Sequence, residues 1–145
     1  MPDDATSAHA LVDSAFADTR YLARAHEQLD AALQFEDPEY MAVLATRGDS
    51  LAAVALFGAV AGAQQCTKLH ALFGDDDEAL AALAAAIVGV CADAGERLVV
   101  AEVPDDAPYE PFTHAIEASG FAECGRVDDY VADGIALRLL VRRAS

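Results

Sequence analysis

The sequence predicts one domain of the α/β (α+β) class, a mixed central sheet flanked by helices. Three observations carry this expectation. Two stretches with helical apolar spacing come first, three short apolar runs divided by turn residues follow, and the second half alternates strand and helix before a closing hairpin. The predicted order is α-α-β-β-β-α-β-α-β-β, in which an antiparallel meander feeds a β-α-β crossover, so both strand senses share one sheet. A chain of 145 residues suits one domain, and at that size roughly 70% of the unfolded surface can be buried without disulfides or metals.

Leu11, Val12, Ala15 and Phe16 recur along one helix face, as do Leu22, Ala25, Leu29 and Leu33, and Asp37-Pro38 stops the second run. The apolar runs 41–46 and 51–57 are joined by Arg47-Gly48-Asp49-Ser50, whose glycine and aspartate tolerate hairpin-turn angles. A third strand is expected over 66–73 and is ended by Gly74. Asp75 to Glu78 then open a helix with the apolar stripe Leu80, Leu83, Ile87 and Val90, closing near Gly95, and Ala81, Ala82 and Ala85 are expected to let it approach the sheet closely. The stretch 98–103 is apolar apart from Glu102 and reads as an interior strand. After Pro104, a short helix is marked by Phe112, Ala115, Ile116 and Ser119 and ended by Gly120. Strands over 121–131 and 135–141 flank Asp133-Gly134, a favoured hairpin pair. Ile135, Leu137, Leu139 and Val141 alternate on one face, which either covers the core or meets a second subunit as a homodimer.

Charge narrows the partners. With 25 acidic and 9 basic residues the formal net charge is −16, which argues against nucleic acid, since phosphate affinity comes from clustered Lys and Arg. Lys68 is the single lysine, there are 34 alanines and 16 aspartates, and Asn and Trp are absent. An acidic, lysine-poor surface suits a salt-rich cell, where screening relieves self-repulsion, and a genomic compositional bias explains it equally well. Cys66, Cys91 and Cys124 are widely spaced, form no CxxC pair and cluster with no histidine, so reduced thiols filling the core and no metal site are expected. The start, with Asp3 and Asp4, has no basic region ahead of an apolar one. The uncharged run 50–67 is interrupted by Gly58, Gly62, Gln64 and Gln65 and reads as a hairpin. A soluble cytoplasmic protein without a membrane partner is the resulting expectation.

The element order and several residue strings together resemble the GNAT superfamily of acyl-CoA-dependent N-acetyltransferases. The strings are Leu69-His70-x-Leu72, Leu98 to Asp106, and Gly120-Phe121 followed by Gly125-Arg126-Val127-x-Asp129-Tyr130. The similarity runs from about Ala10 to Arg142 and is most specific after Glu96; the family's first strand is missing. The resemblance implies transfer of an acetyl group from acetyl-CoA, the co-substrate, to a primary amine of a small or peptide substrate. The acidic surroundings favour a cationic acceptor. It implies that the diphosphate of the cofactor rests where a Gly-rich loop opens the central helix, a helix N-terminus used as an anion site. Leu72, Phe73, Gly74, Asp75 and Asp76 occupy that place here and are the candidate cofactor-binding residues.

Two positions depart from the family pattern. The loop is shorter, with one glycine and the carboxylates of Asp75, Asp76, Asp77 and Glu78 where a diphosphate would lie. At ~4 Å each like-charge pair costs on the order of 1 kcal/mol in water and several at a surface-like dielectric. The family's usual acid, a tyrosine four residues before Gly-Phe, is replaced by Ile116. Candidate catalytic groups are His70 as a base with a suitable ordinary pKa, Glu102 as a carboxylate isolated among Val and Ala, and Tyr130 as a phenol; Tyr109 is a further phenol within reach of the cleft. Each also reads as a packed or rim side chain. A second expectation therefore stands beside acetyl transfer: a GNAT-fold protein without acetyl-CoA binding, acting as a ligand-binding, regulatory or oligomeric module. A different acyl donor, or a non-enzymatic role in salt-adapted cells, completes the alternatives.

Overall fold

The computed structural model describes residues 4–34 and 37–144, so Asp3 lies outside the described residues. Its elements are α1 (Asp4–Phe16), α2 (Leu22–Gln34), β1 (Met41–Arg47), β2 (Ser50–Ala59), β3 (Cys66–Gly74), α3 (Asp77–Asp93), β4 (Leu98–Pro104), α4 (Glu110–Ala118), β5 (Ala122–Ala132) and β6 (Ile135–Arg143), with a short 3-10 turn at Ala107–Tyr109. The predicted order is the observed one. Six strands form one sheet in the order β1-β2-β3-β4-β6-β5, antiparallel throughout except where β3 runs parallel to β4.

Helices α1 and α2 pack over β1, β2 and β3, and Leu11, Val12, Phe16 and Leu29 meet Val54, Leu56 and Phe73 there. Helices α3 and α4 cover the other face, where Leu83, Ile87 and Ile116 meet Leu69, Val99 and Leu140. Each apolar stripe thus buries itself against its own side of the sheet, the main driving force for assembly. On α3 the stripe differs from expectation. Val90 is 57% exposed and Cys91 takes its place, because 80, 83, 84, 87 and 91 follow the helical period more closely. Ala82 and Ala85 face solvent, while Ala79 and Ala84 make the close approach. Cys66 and Cys91 fill the core as expected; Cys124 is exposed.

The last strand does not cover the core with the face expected of it. Ala136 and Leu140 supply the core side of β6, so Leu137, Leu139 and Val141 lie on the opposite face and stay partly exposed. They belong to neither buried cluster.

A bulge in β3 matters most for the site. Leu56 pairs with Ala71 and Phe57 with Leu69, which leaves His70 as an extra residue without a partner on β2. Simple alternation would put Leu69, Ala71 and Phe73 on one face. The bulge instead keeps Leu69 and Leu72 under α3 and turns Ala71 and Phe73 toward α1 and α2.

On their outer side α1 and α2 are joined by a histidine pair. The Nδ1 atoms of His9 and His26 lie 2.6 Å apart, and the Nε2 atoms lie 2.8 Å from Asp30 and Asp13 respectively.

Candidate functional site

Strands β3 and β4 pair only over Cys66–Lys68 and Leu98–Val100. Beyond that point each continues, β3 to Gly74 and β4 to Pro104, while β4 keeps its pairing with β6. The two parallel strands therefore part, and β3 has an unpaired edge facing the gap. A cavity of about 430 Å3 opens at its wide end, between the last turn of α1, Leu72 to Gly74 of β3 and the adjoining Asp75, Leu80 of α3, Ala107 and Pro108, and Pro111 and Phe112 of α4. That volume lies within the ~300–1,000 Å3 range of small-molecule sites.

Tyr109 stands between the two layers. Among the described residues it is the one partly buried apolar side chain that packs against both core clusters. Its ring lies 5.2 Å from Phe16, 4.8 Å from Tyr21 in an edge-on contact, and 6.2 Å from Phe112. Burial pushes its phenol up to about 12, so it is protonated at neutral pH. The Tyr21 hydroxyl donates to Asp106 at 2.8 Å, and that tie holds the α1–α2 turn to the loop after β4. Its phenol is pushed up as well, by burial first and by Asp106 second.

Of the candidate cofactor residues, Leu72, Phe73, Gly74 and Asp75 line the cavity. Asp76 does something else. Extended at φ −152°, it caps α3: one carboxylate oxygen accepts from the Ala79 amide at 2.7 Å, and the other accepts from Arg47 Nη1 at 2.7 Å. The Arg47 guanidinium, with the Ala79 and Glu78 amides, holds the Asp76 carboxyl below the ordinary carboxylate range. The amide that a bound anion would use is thus already occupied by the chain's own carboxylate. Asp75, Asp77 and Glu78 surround it. The cleft fits the uncharged arm of an acyl thioester; the start of α3 does not fit a diphosphate.

Glu102 lies two positions past the last β3–β4 pair, beside the point where the gap opens. Val99, Ala101 and Val103 face α3 and α4, so Glu102 projects to the open face. Its side chain is 48% exposed and accepts from Lys68 Nζ at 3.2 Å across the gap. Tyr130 lines a second cavity together with Glu102, a groove of about 270 Å3 walled by Val127, Leu137 and Leu139. Tyr130 reaches it because residues 128–131 loop out of the β5–β6 ladder between the pairs Val127–Leu137 and Ala132–Ile135.

His70 is placed apart from both cavities. At the bulge its Nε2 donates to the Glu39 carbonyl at 2.7 Å, and its ring stacks on Tyr40 at 4.9 Å. Burial lowers its pKa, outweighing that hydrogen bond. Ile116, at the family's acid position, is fully buried in the core. Lys68, Arg47 and Tyr109 were the participants that spacing alone did not single out for these roles. The sole lysine was a usable signal for the first, since an isolated cation on a strand next to an isolated carboxylate calls for pairing.

Comparison with solved structures gives matches over the whole chain. A GNAT-family putative acetyltransferase from Desulfovibrio desulfuricans superposes with a TM-score of 0.83 at 22% identity, covering 100% of this chain and 95% of the other. The chain has the GNAT acetyltransferase fold. The aminoglycoside 6'-N-acetyltransferase of Enterococcus faecium shares the GNAT fold with a TM-score of 0.78 at 13% identity, over 100% and 93% of the two chains. The ribosomal-protein-S18-alanine N-acetyltransferase of Escherichia coli gives 0.73 at 16%, over 100% and 90%. An aminoglycoside 6'-N-acetyltransferase solved with coenzyme A gives 0.73 at 14%, over 100% and 93%. No protein-family profile matches the sequence and no curated protein matches it significantly. No helix among the described residues is long and apolar enough to cross a membrane.

Proposed function

We propose that this chain is an N-acetyltransferase that moves an acetyl group from a thioester donor, acetyl-CoA or its acyl-bearing arm, to a primary amine of a small or peptide substrate. The observation that carries the reading is the parting of β3 from β4 after Lys68–Val100, which opens a cleft directly beside Glu102. When bound, the donor supplies an activated acyl carbon.

The chain's own residues account for the rest. The groove beside the cleft offers apolar walls from Leu137, Leu139 and Val127, the carboxylate of Glu102, and Arg126, whose charge is met by Asp105 and Asp128, which suits an amine on an apolar body. Glu102 accepts a proton from the incoming ammonium, because only the free amine has the lone pair that attacks an acyl carbon. Lys68 holds that carboxylate in place. Tyr130 rims the groove and orients the acceptor. As the new C–N bond forms and the C–S bond breaks, the adduct nitrogen releases its second proton to solvent and the departing thiolate takes one from solvent, since Ile116 has none to give.

A second reading has its own observation: Asp76 capping α3 favours a GNAT-fold ligand-binding module without acetyl transfer. Thermal unfolding in acetyl-CoA separates the two. A donor at one hundred times its dissociation constant adds about 2.7 kcal/mol of stability. Absence of any shift with both millimolar acetyl-CoA and millimolar S-acetylpantetheine, in dilute and in concentrated KCl, sinks the acetyltransferase reading. With a donor bound, Glu102→Gln is expected to lower kcat/KM by ~10²–10⁴, as for loss of a general base.

A further inference from the structure

We infer that this cleft recognises its acyl donor through the uncharged arm that carries the thioester and takes no part of its affinity from the donor's phosphates. The inference deepens the acetyl-transfer reading and rests on it for the existence of a thioester donor.

The start of α3 borders the cleft at the end of β3, and the amide that its first turn offers an anion is used internally. Asp76 accepts from Ala79 N at 2.7 Å and takes a further amide contact from Glu78, so a carboxylate already fills the site that a phosphate oxygen would enter. Arg47 donates through Nη1 to the same carboxylate at 2.7 Å, so its charge is already met at this helix end. Among the described residues, Asp75 is the only charged one lining the large cavity, and it is negative. The backbone leaves no slack for rearrangement at this point, because a Cβ on Gly74 would sit 2.5 Å from the Ala52 carbonyl oxygen and Asp75 N donates to that same oxygen at 2.9 Å. A diphosphate therefore meets an occupied helix end, a paired arginine and repelling carboxylates.

The arm meets the opposite conditions. It is a chain of amides and methylenes, and β3 from Leu69 to Gly74 presents an unpaired strand edge to the gap, able to bond amides as a neighbouring strand would. Leu72, Phe73, Pro108 and Phe112 supply apolar wall. Salt cannot weaken such contacts as it weakens phosphate contacts, and the acidic surface carries no cost for an uncharged ligand.

Calorimetric titration of the full chain with S-acetylpantetheine, acetyl-CoA and 3′-phosphoadenosine 5′-diphosphate tests this without relying on turnover. S-acetylpantetheine is expected to bind within about threefold of acetyl-CoA, and the phosphate fragment not at all. Asp76→Gly, a substitution tolerated at a helix cap, is expected to tighten acetyl-CoA at least tenfold and to leave S-acetylpantetheine unchanged. Wild-type binding of acetyl-CoA tenfold or more tighter than S-acetylpantetheine overturns the inference and leaves acetyl transfer standing. If wild type binds neither thioester, acetyl transfer falls. The variant then decides the remainder: acetyl-CoA binding gained by Asp76→Gly supports exclusion by Asp76, and no gain overturns it.

Discussion

Replacing Tyr109 with phenylalanine should leave stability near pH 7 almost unchanged and make the protein more stable than wild type at alkaline pH. The ring sits between Phe16, Tyr21 and Phe112 and bridges the two cores, and phenylalanine keeps all of those contacts. What it removes is an ionisable group whose phenol burial raises from 10.0 to about 12. The sign follows from which state loses its proton first. Between those values the unfolded chain is ionised while the folded chain still holds its proton, so the contribution is complete below pH 10 and is lost as pH rises toward 12. Two units correspond to about 2.7 kcal/mol in full, and at pH 11 about half of it, ~1.4 kcal/mol, is already gone. Urea unfolding of both proteins at pH 7, 10 and 11 measures the difference. Tyr21 is present in both and is raised mainly by burial and Asp106, with a smaller contribution from Tyr109, so Tyr109 dominates the difference. Parallel loss of stability by the two proteins from pH 7 to 11 would refute the burial of the hydroxyl between the layers.

Other consequences are as direct. Gly58→Ala places a Cβ 2.1 Å from the Glu39 carbonyl oxygen, main chain against main chain, and should lower urea stability by about 1–3 kcal/mol or prevent folding, as for an overpacked core; an unchanged midpoint would contradict the strand approach. Cys124 is exposed, whereas Cys66 and Cys91 are buried with thiols raised by burial. A thiol reagent should therefore label one cysteine in the native protein and three in urea. His9→Ala breaks the 2.6 Å ring contact with His26 and the bond to Asp30, at an expected cost of about 0.5–1.5 kcal/mol per hydrogen bond. A double-mutant cycle with His26→Ala should show coupling between the two, and additive losses would mean the rings do not bond in solution.

Much of the fold was legible because its signals are local. Helical spacing located α1 and α2, Gly120 ended α4, and Asp133-Gly134 turned the last hairpin. The errors were rotations and environments. Val90 and Cys91 are adjacent on α3, and which of them is buried depends on how the helix meets the sheet. Glu102 looked isolated in sequence because its partner Lys68 lies on a strand 34 positions away.

By itself the sequence determined the element order, the mixed sheet, the acidic surface and the absence of a glycine-rich loop before α3. These depend on residue types and short spacings, which act before the chain is folded. Only the tertiary structure decided the site. The bulge at His70 reassigns alternate residues of β3 between the two faces, a shift that period-two reasoning cannot register because it depends on pairing with β2. It also decided that β3 leaves β4 after Lys68, that Glu102 and Tyr130 share a groove from which His70 is set apart, and that Arg47 from a different hairpin reaches Asp76. The run of carboxylates before α3 was visible as charge. Its use as an internal substitute for a bound anion became visible only once the helix end and the β1–β2 turn met.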